Sequence, residues 1–198
     1  MRYLFLLFLS AGLYADNEIF VTQTGSNASV DLEQLGGSNL IGGTSAVSGT
    51  MTALDLDGAS MILDINQIGS SNIFRSDAID GSNFTGFFEF DGDSNVWDLL
   101  VDSTGLLGSD YINMNIDVTG SSNVADIKIA ENAAADYLDL DWIVTGDSNQ
   151  FDFDIDYENA TNYMDVNGSS NTINFNGSGF AGNSQATSGY FYMDLDGS

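Results

Sequence analysis

The 198-residue chain has no proline, no cysteine and no histidine, and only three lysines and arginines against 29 aspartates and glutamates. Average usage would give about ten prolines in this length. A stack of hydrogen-bonded strands has reason to exclude proline, which removes a ladder donor. Without cysteine, neither disulfides nor thiolate metal sites can hold the fold. Without histidine, the usual general base and the commonest transition-metal ligand are missing. A formal net charge of −26 repels phosphate backbones and anionic lipid headgroups, which argues against nucleic-acid binding. High charge can signal disorder, but disorder also needs few aromatic and β-branched residues. Here 43% of residues are hydrophobic and 12% aromatic, so the chain is read as folded around a core.

The first 15 residues are expected to be a secretory signal peptide. Arg2 supplies the basic region, Tyr3 to Leu9 the apolar region, and Leu13-Tyr14-Ala15 the cleavage site. The apolar run is too short to span a bilayer, and no later segment is apolar enough to do so. A secreted, extracellular domain over residues 16–198, without a membrane span once the leader is removed, is therefore expected.

Within that domain a short mark recurs. It stands as Gly25-Ser26-Asn27, Gly37-Ser38-Asn39, Gly69-Ser70-Ser71-Asn72, Gly81-Ser82-Asn83 and Gly92-Asp93-Ser94-Asn95. It returns as Gly120-Ser121-Ser122-Asn123, Gly146-Asp147-Ser148-Asn149 and Gly168-Ser169-Ser170-Asn171. A repeat of this kind decides the architecture. Glycine and asparagine tolerate positive φ, so each mark is expected to be a tight bend. Asn27 to Asn39 is 12 residues, Asn72 to Asn83 is 11 and Asn83 to Asn95 is 12. The later gaps of 28, 26 and 22 residues are each close to two units. Degenerate bends are expected at Gly108-Ser109-Asp110, at Glu131-Asn132 and over Glu158-Asn159-Ala160-Thr161-Asn162. The 33 residues from Asn39 to Asn72 are read as three units, with weak bends near Gly49 and Gly58.

Between the bends, residues alternate with strand period. Ile112, Met114, Ile116 and Val118 share one face, as do Leu138, Leu140, Trp142 and Val144. Phe151, Phe153, Ile155 and Tyr157 oppose Asp152, Asp154 and Asp156. Met61, Leu63 and Ile65 precede a bend, and Phe191, Met193 and Leu195 close the chain. Trp97 and Trp142 fall at core positions. A hairpin prefers Asn-Gly in its turn, whereas here glycine precedes asparagine by two or three residues. Stacked asparagines can hydrogen-bond along an axis. These features predict an all-β fold, a single β-solenoid of about seven turns with two short strands each, and a loop over 179–189.

Gln34-Leu35-Gly36-Gly37-Ser38-Asn39 and Gln67-Ile68-Gly69-Ser70-Ser71-Asn72 fit the pattern Gln-x-Gly-x-x-Asn. Gln23-Thr24-Gly25-Ser26-Asn27 is the same pattern one residue short. On these residues the chain resembles the curlins, secreted subunits of the amyloid fibres of bacterial biofilm matrix, over Ile19 to Asn183. The resemblance implies strand-arch-strand layers, a fibre-forming and adhesive role, and self-association as partner chemistry, with a nucleator subunit or secretion factor as further partners. The glutamine is not kept throughout. Phe90, Val118, Val144, Val166 and Ile79 take its place, which implies a drier core.

Charge is the other departure. In-register strands would set equivalent carboxylates about 4.8 Å apart. Two such charges repel by about 0.9 kcal/mol in water and about 3.5 kcal/mol at an effective dielectric of 20. Staggering, protonation or bound cations could relieve this. Asp139 with Asp141, and Asp152 with Asp154 and Asp156, offer oxygen ligands of the kind Ca²⁺ takes, the alternative being a solvated acidic face. No cofactor is required. Three functions are open to a chain with these residues. A fibre subunit would polymerise through exposed terminal strands. A calcium-stabilised, adhesin-like binding module would not polymerise. A glycosidase would use paired aspartates, but the sequence offers one repeated surface rather than one distinguished acid, so no catalysis is expected. Arg75 and Lys128 are read as local partners of neighbouring carboxylates.

Overall fold

Alternating side chains decide the path of the chain, because an apolar row can be buried only where strands stack like row on like row. The computed structural model describes residues 18–44, 51–52, 54–101, 111–129, 135–178 and 188–197. The expected leader, the degenerate bends at Gly108-Ser109-Asp110 and Glu131-Asn132, and most of the loop expected over 179–189 lie outside them. The architecture is the all-β solenoid that the repeat predicts, and its two long faces are built of parallel strands.

The N-terminal part contributes β1 (Glu18–Ile19), β2 (Thr22–Thr24), β3 (Ser29–Leu35) and β4 (Leu40–Ile41). It continues through β5 (Gly43–Thr44), β6 (Met51–Thr52) and β7 (Leu54–Asp57). Regular windings follow as β8 (Met61–Ile68), β9 (Ile73–Asp80), β10 (Asn83–Asp91), β11 (Val96–Val101), β12 (Tyr111–Thr119) and β13 (Val124–Ile129). They end with β14 (Ala135–Thr145), β15 (Gln150–Asn167), β16 (Thr172–Ser178) and β17 (Ser188–Asp196). Ser188 and Gly189, expected in a loop, open this last strand.

One face stacks β3, β8, β10, β12, β14, the second half of β15 and β17, all parallel. The other stacks β9, β11, β13, the first half of β15 and β16, with β4 and β7 together filling the layer before β9. About five complete turns run from β8 to β16, rather than seven. A broken turn precedes them and β17 adds a half turn.

The shortfall has a local cause. The 33 residues between Asn39 and Asn72 form one turn, not three units, since the Asn39 N–H reaches Asn72 Oδ1 directly. The extra length is an insertion in which β5 and β6 pair antiparallel. The bend expected over Glu158–Asn162 is also absent as a break. There the chain passes from one face to the other inside β15, whose first part pairs with β13 and β16 and whose second part pairs with β14 and β17.

The inward rows make the core. Met61, Leu63, Ile65, Ile112, Met114, Ile116, Leu138, Leu140 and Trp142 are buried, as are Phe151, Phe153 and Ile155 from the opposite face. Trp97 and Trp142 lie within it, as expected. Aromatic rings interlock across the two faces: Phe90 stacks on Trp97 at 4.1 Å, and Trp142 meets Phe151 and Phe153 edge-on at 4.4 and 4.2 Å. Each such side chain contributes about 1.5–3 kcal/mol on burial, so these rows, rather than the corners, supply most of the driving force.

Candidate functional site

The stacked corners are the site the sequence singles out. At the corner that follows each strand of the first face, Gly36, Gly69, Gly92, Gly120, Gly146 and Gly168 take φ between 110° and 145°. Two residues later Ser38, Ser71, Ser94, Ser122, Ser148 and Ser170 take φ of 59–61°, in the left-handed region. Glycine and this serine turn the chain; the asparagine does not. That corrects the expectation that asparagine supplies the positive φ. The sequence signal was available: at all six of these corners the residue before asparagine is serine, while the position before it varies.

Freed from turning, the asparagine points inward. Asn39, Asn72, Asn95, Asn123 and Asn149 are buried. The Asn39 backbone N–H donates to Asn72 Oδ1 at 3.0 Å, and Asn72 to Asn95, Asn95 to Asn123, Asn123 to Asn149 and Asn149 to Asn171 follow at 2.8–2.9 Å. Side-chain nitrogens of Asn39, Asn72 and Asn95 donate to the carbonyls of Gly36, Gly69 and Gly92. Those of Asn149 and Asn171 reach Gly120 and Gly146, each one turn back. The ladder thus runs side chain to backbone, not amide to amide as expected. It gives partners to corner N–H groups that burial would otherwise orphan.

Asn27 and Asn83 stand outside this column. Asn27 is exposed with φ 62° and occupies the place that Ser60 holds one turn on. Asn83 opens β10 in register with Tyr111. Their glycines, Gly25 and Gly81, belong to the opposite corner, where Gly58 packs on the Gly25 carbonyl and Gly81 on that of Gly58. Two of the glutamines also stack, with Gln67 Nε2 donating to Gln34 Oε1 at 2.8 Å inside the core. Phe90, Val118, Val144 and Val166 continue that row as expected. Gln23 and Ile79 do not belong to it; both align with Leu56 on the other face.

Outside the asparagines runs a second ladder of alternating chemistry. Ser70 Oγ accepts from the Asp93 N–H, Asp93 Oδ1 from Ser121, and Ser121 Oγ from Asp147. Asp147 Oδ1 accepts from Ser169. Serine between aspartates keeps carboxylates two layers apart, roughly 9.6 Å.

Staggering also separates the candidate metal ligands on the strands. Asp139 and Asp141 lie on the first face; Asp152, Asp154 and Asp156 lie on the second. Asp139 sits between Asn113 and Thr161, and Asp141 between Asn115 and Tyr163. Asp154 stacks between Lys128 and Asn176, whose Nδ2 donates to it at 3.2 Å. Among the described residues no group of three or more acidic side chains is arranged to hold a metal ion.

Carboxylates also align in pairs, as Asp31 with Asp64, Glu89 with Asp117 and Asp165 with Asp194, and one row aligns three in succession. Asp98, Asp126 and Asp152 follow one another, closed by Arg75 at one end and by Asn174 at the other. Lys128 Nζ lies 3.5 Å from Asp126 Oδ2, and Asn174 Nδ2 donates to Asp152 at 3.0 Å. The two basic residues flank this acid row, as the sequence reading expected. Desolvation and then the Asp126 charge push the Asp98 carboxyl above its ordinary range, against the pull of Lys128 and Arg75. A carboxyl that binds its proton more tightly folded than unfolded stabilises fully below the unfolded value, and that contribution is lost as pH rises through the folded one. Asp98→Asn is therefore expected to raise the melting temperature modestly at pH 7 and to leave it unchanged at pH 3. Thermal melts at the two pH values check this.

Comparison with protein-family models, with curated proteins and with solved structures finds no match. The column's distinctive surfaces are its ends. At the C-terminal end no strand among the described residues stacks on the outer edge of β17, and of its inward residues Phe191 is 43% and Leu195 59% exposed. Val166, Ile173, Met193 and Leu195 line an open apolar recess there. At the other end Val30 and Leu32 of β3 are only partly covered.

Proposed function

We propose that this chain is a secreted structural subunit that builds an extracellular, curli-like fibre by stacking end to end on copies of itself. The open apolar end at β17 carries the reading. An uncovered parallel edge is a template for another strand, and proline, which would block pairing, is absent from the whole chain. Continuing the register by one turn places β3 of a second copy on β17. Val30 then meets Phe191, Leu32 meets Met193 and Gln34 meets Leu195. The resemblance of the Gln-x-Gly-x-x-Asn marks to curlin half-repeats supports the same role, and with it biofilm matrix or adhesion as the setting.

The same register sets Asp194 beside Glu33 of the next copy, a like-charge contact that opposes addition at neutral pH. Assembly is thus expected to speed up as pH falls toward 4, or on adding Ca²⁺ to screen the contact. Thioflavin fluorescence and electron microscopy follow the fibres. Met193→Glu with Leu195→Glu, both at the open end, is expected to abolish elongation while leaving the monomer's melting temperature within a few degrees. A chain that stays monomeric at every concentration, pH and calcium level would overturn the proposal, as would unchanged fibre growth in the double variant.

A further inference from the structure

A groove of about 540 Å³ runs along the first face, parallel to the stacking axis, where the strands begin. Buried Ile112 and Leu138 form its floor. One wall carries Tyr111 and Tyr137, each about half exposed, with rings 4.8 Å apart and 7° from parallel. The other wall is the outward row Thr85, Asn113, Asp139 and Thr161, one residue per turn.

The geometry points to a binding site for a linear, uncharged polysaccharide laid along this groove. Three observations choose that ligand. The stacked rings make an apolar wall whose edges border the groove opposite a row of amides and hydroxyls, which matches a sugar, whose C–H faces are apolar and whose edge carries hydroxyl groups. Polar groups recur at the strand spacing, so a polymer of repeating units can contact successive turns where a compact ligand would use one. Charge settles the class: among the described lining residues Asp139 alone is charged, and the chain carries −26, so anionic polymers are repelled. Ring stacking between Tyr111 and Tyr137 holds both side chains in place before binding, which lowers the ordering cost. This inference does not depend on fibre formation, since the groove lies within one chain.

Native gel retardation tests it, with hydroxyethylcellulose and galactomannan as neutral probes, alginate as the anionic probe and chitosan as the cationic one. Retardation is expected in at least one neutral polymer and not in alginate. Tyr111→Ala with Tyr137→Ala is expected to weaken it by about tenfold or more, as loss of an aromatic anchor does. Asn113→Lys, which fills the groove beside Asp139 without touching the core, is expected to do the same. Circular dichroism and melting of both variants establish that they fold. If the tyrosine variant does not fold, Asn113→Lys alone decides. Absence of retardation in both neutral polymers overturns the proposal. So does retardation that the variants leave unchanged, or binding to chitosan alone that disappears with salt.

Discussion

Replacing Gly146 with alanine is expected to unfold the chain or to cost more than about 4 kcal/mol, the range reached when a backbone position tolerates no side chain. Two effects combine. Gly146 has φ 145°, a conformation that L side chains rarely adopt, and an added Cβ would fall inside contact distance of the Gly120 carbonyl one turn below. That carbonyl is backbone, held by the ladder, and cannot swing aside. Because whole domains are stable by only about 5–15 kcal/mol, the loss at one corner is a large fraction of the total. The neighbouring serine gives the opposite result. Ser148 sits at φ 59°, so Ser148→Gly is expected to be neutral or to stabilise by up to about 1 kcal/mol by removing a left-handed penalty. Urea unfolding of the two variants measures both signs.

Truncating Asn95 to alanine is the second large effect. The change deletes the acceptor for the Asn72 N–H and the donor to the Gly92 carbonyl, at a place with no access to water. Each orphaned group costs about 1–3 kcal/mol, so a loss of roughly 2–6 kcal/mol is expected. Asn95→Asp keeps the acceptor but buries a charge. Its carboxyl will favour the protonated form, so the variant is expected to be strongly destabilised at pH 7 and to recover as pH falls. Asn27→Ala removes an asparagine of the same mark from an exposed corner, where it leaves no buried group orphaned but sets an alanine at φ 62°, and is expected to cost only about 1 kcal/mol. If Asn27 and Asn95 prove equally costly, the distinction between the two corners is wrong.

That distinction also marks where sequence reading stops. Alternation over β12, β14 and β8 fixed both the strands and their buried faces, because a period of two leaves no choice of side once a core exists. The Gly-x-Ser-Asn mark likewise gave the corners. What it could not give was which corner each mark occupies, since a local tripeptide carries no information about the layer it meets. Gly25-Ser26-Asn27 and Gly92-Asp93-Ser94-Asn95 look alike yet lie on opposite edges, and only the strand register separates them. Spacing misled at Asn39 to Asn72 because an inserted β5–β6 pair adds length without adding a turn.

The acid residues show the same division. Their number announced a repulsion problem, but its solution is a matter of neighbours one turn away. Asp139 lies between Asn113 and Thr161, and Asp93 and Asp147 alternate with serines up the corner. Where three carboxylates do stack, Arg75 and Lys128 are placed beside them. The groove was illegible for a similar reason. Tyr111 and Tyr137 are 26 residues apart in sequence and come face to face only because their strands are consecutive layers. Asn162 is the reverse case: a polar residue on an inward row, fully buried beside Leu140, which alternation alone would have assigned to an apolar side chain.

Disulfide trapping tests the stacking most directly, since the chain has no cysteine of its own. Thr119 and Thr145 are exposed, in-register partners on adjacent parallel strands. Their Cα atoms should lie about 4.8 Å apart, within the range a disulfide bridges. Thr119→Cys with Thr145→Cys should therefore oxidise rapidly within the monomer, while Thr119→Cys with Asp139→Cys should not. Rapid closure of the second pair and not the first would mean that the two strands run in opposite directions, and the parallel column would be refuted.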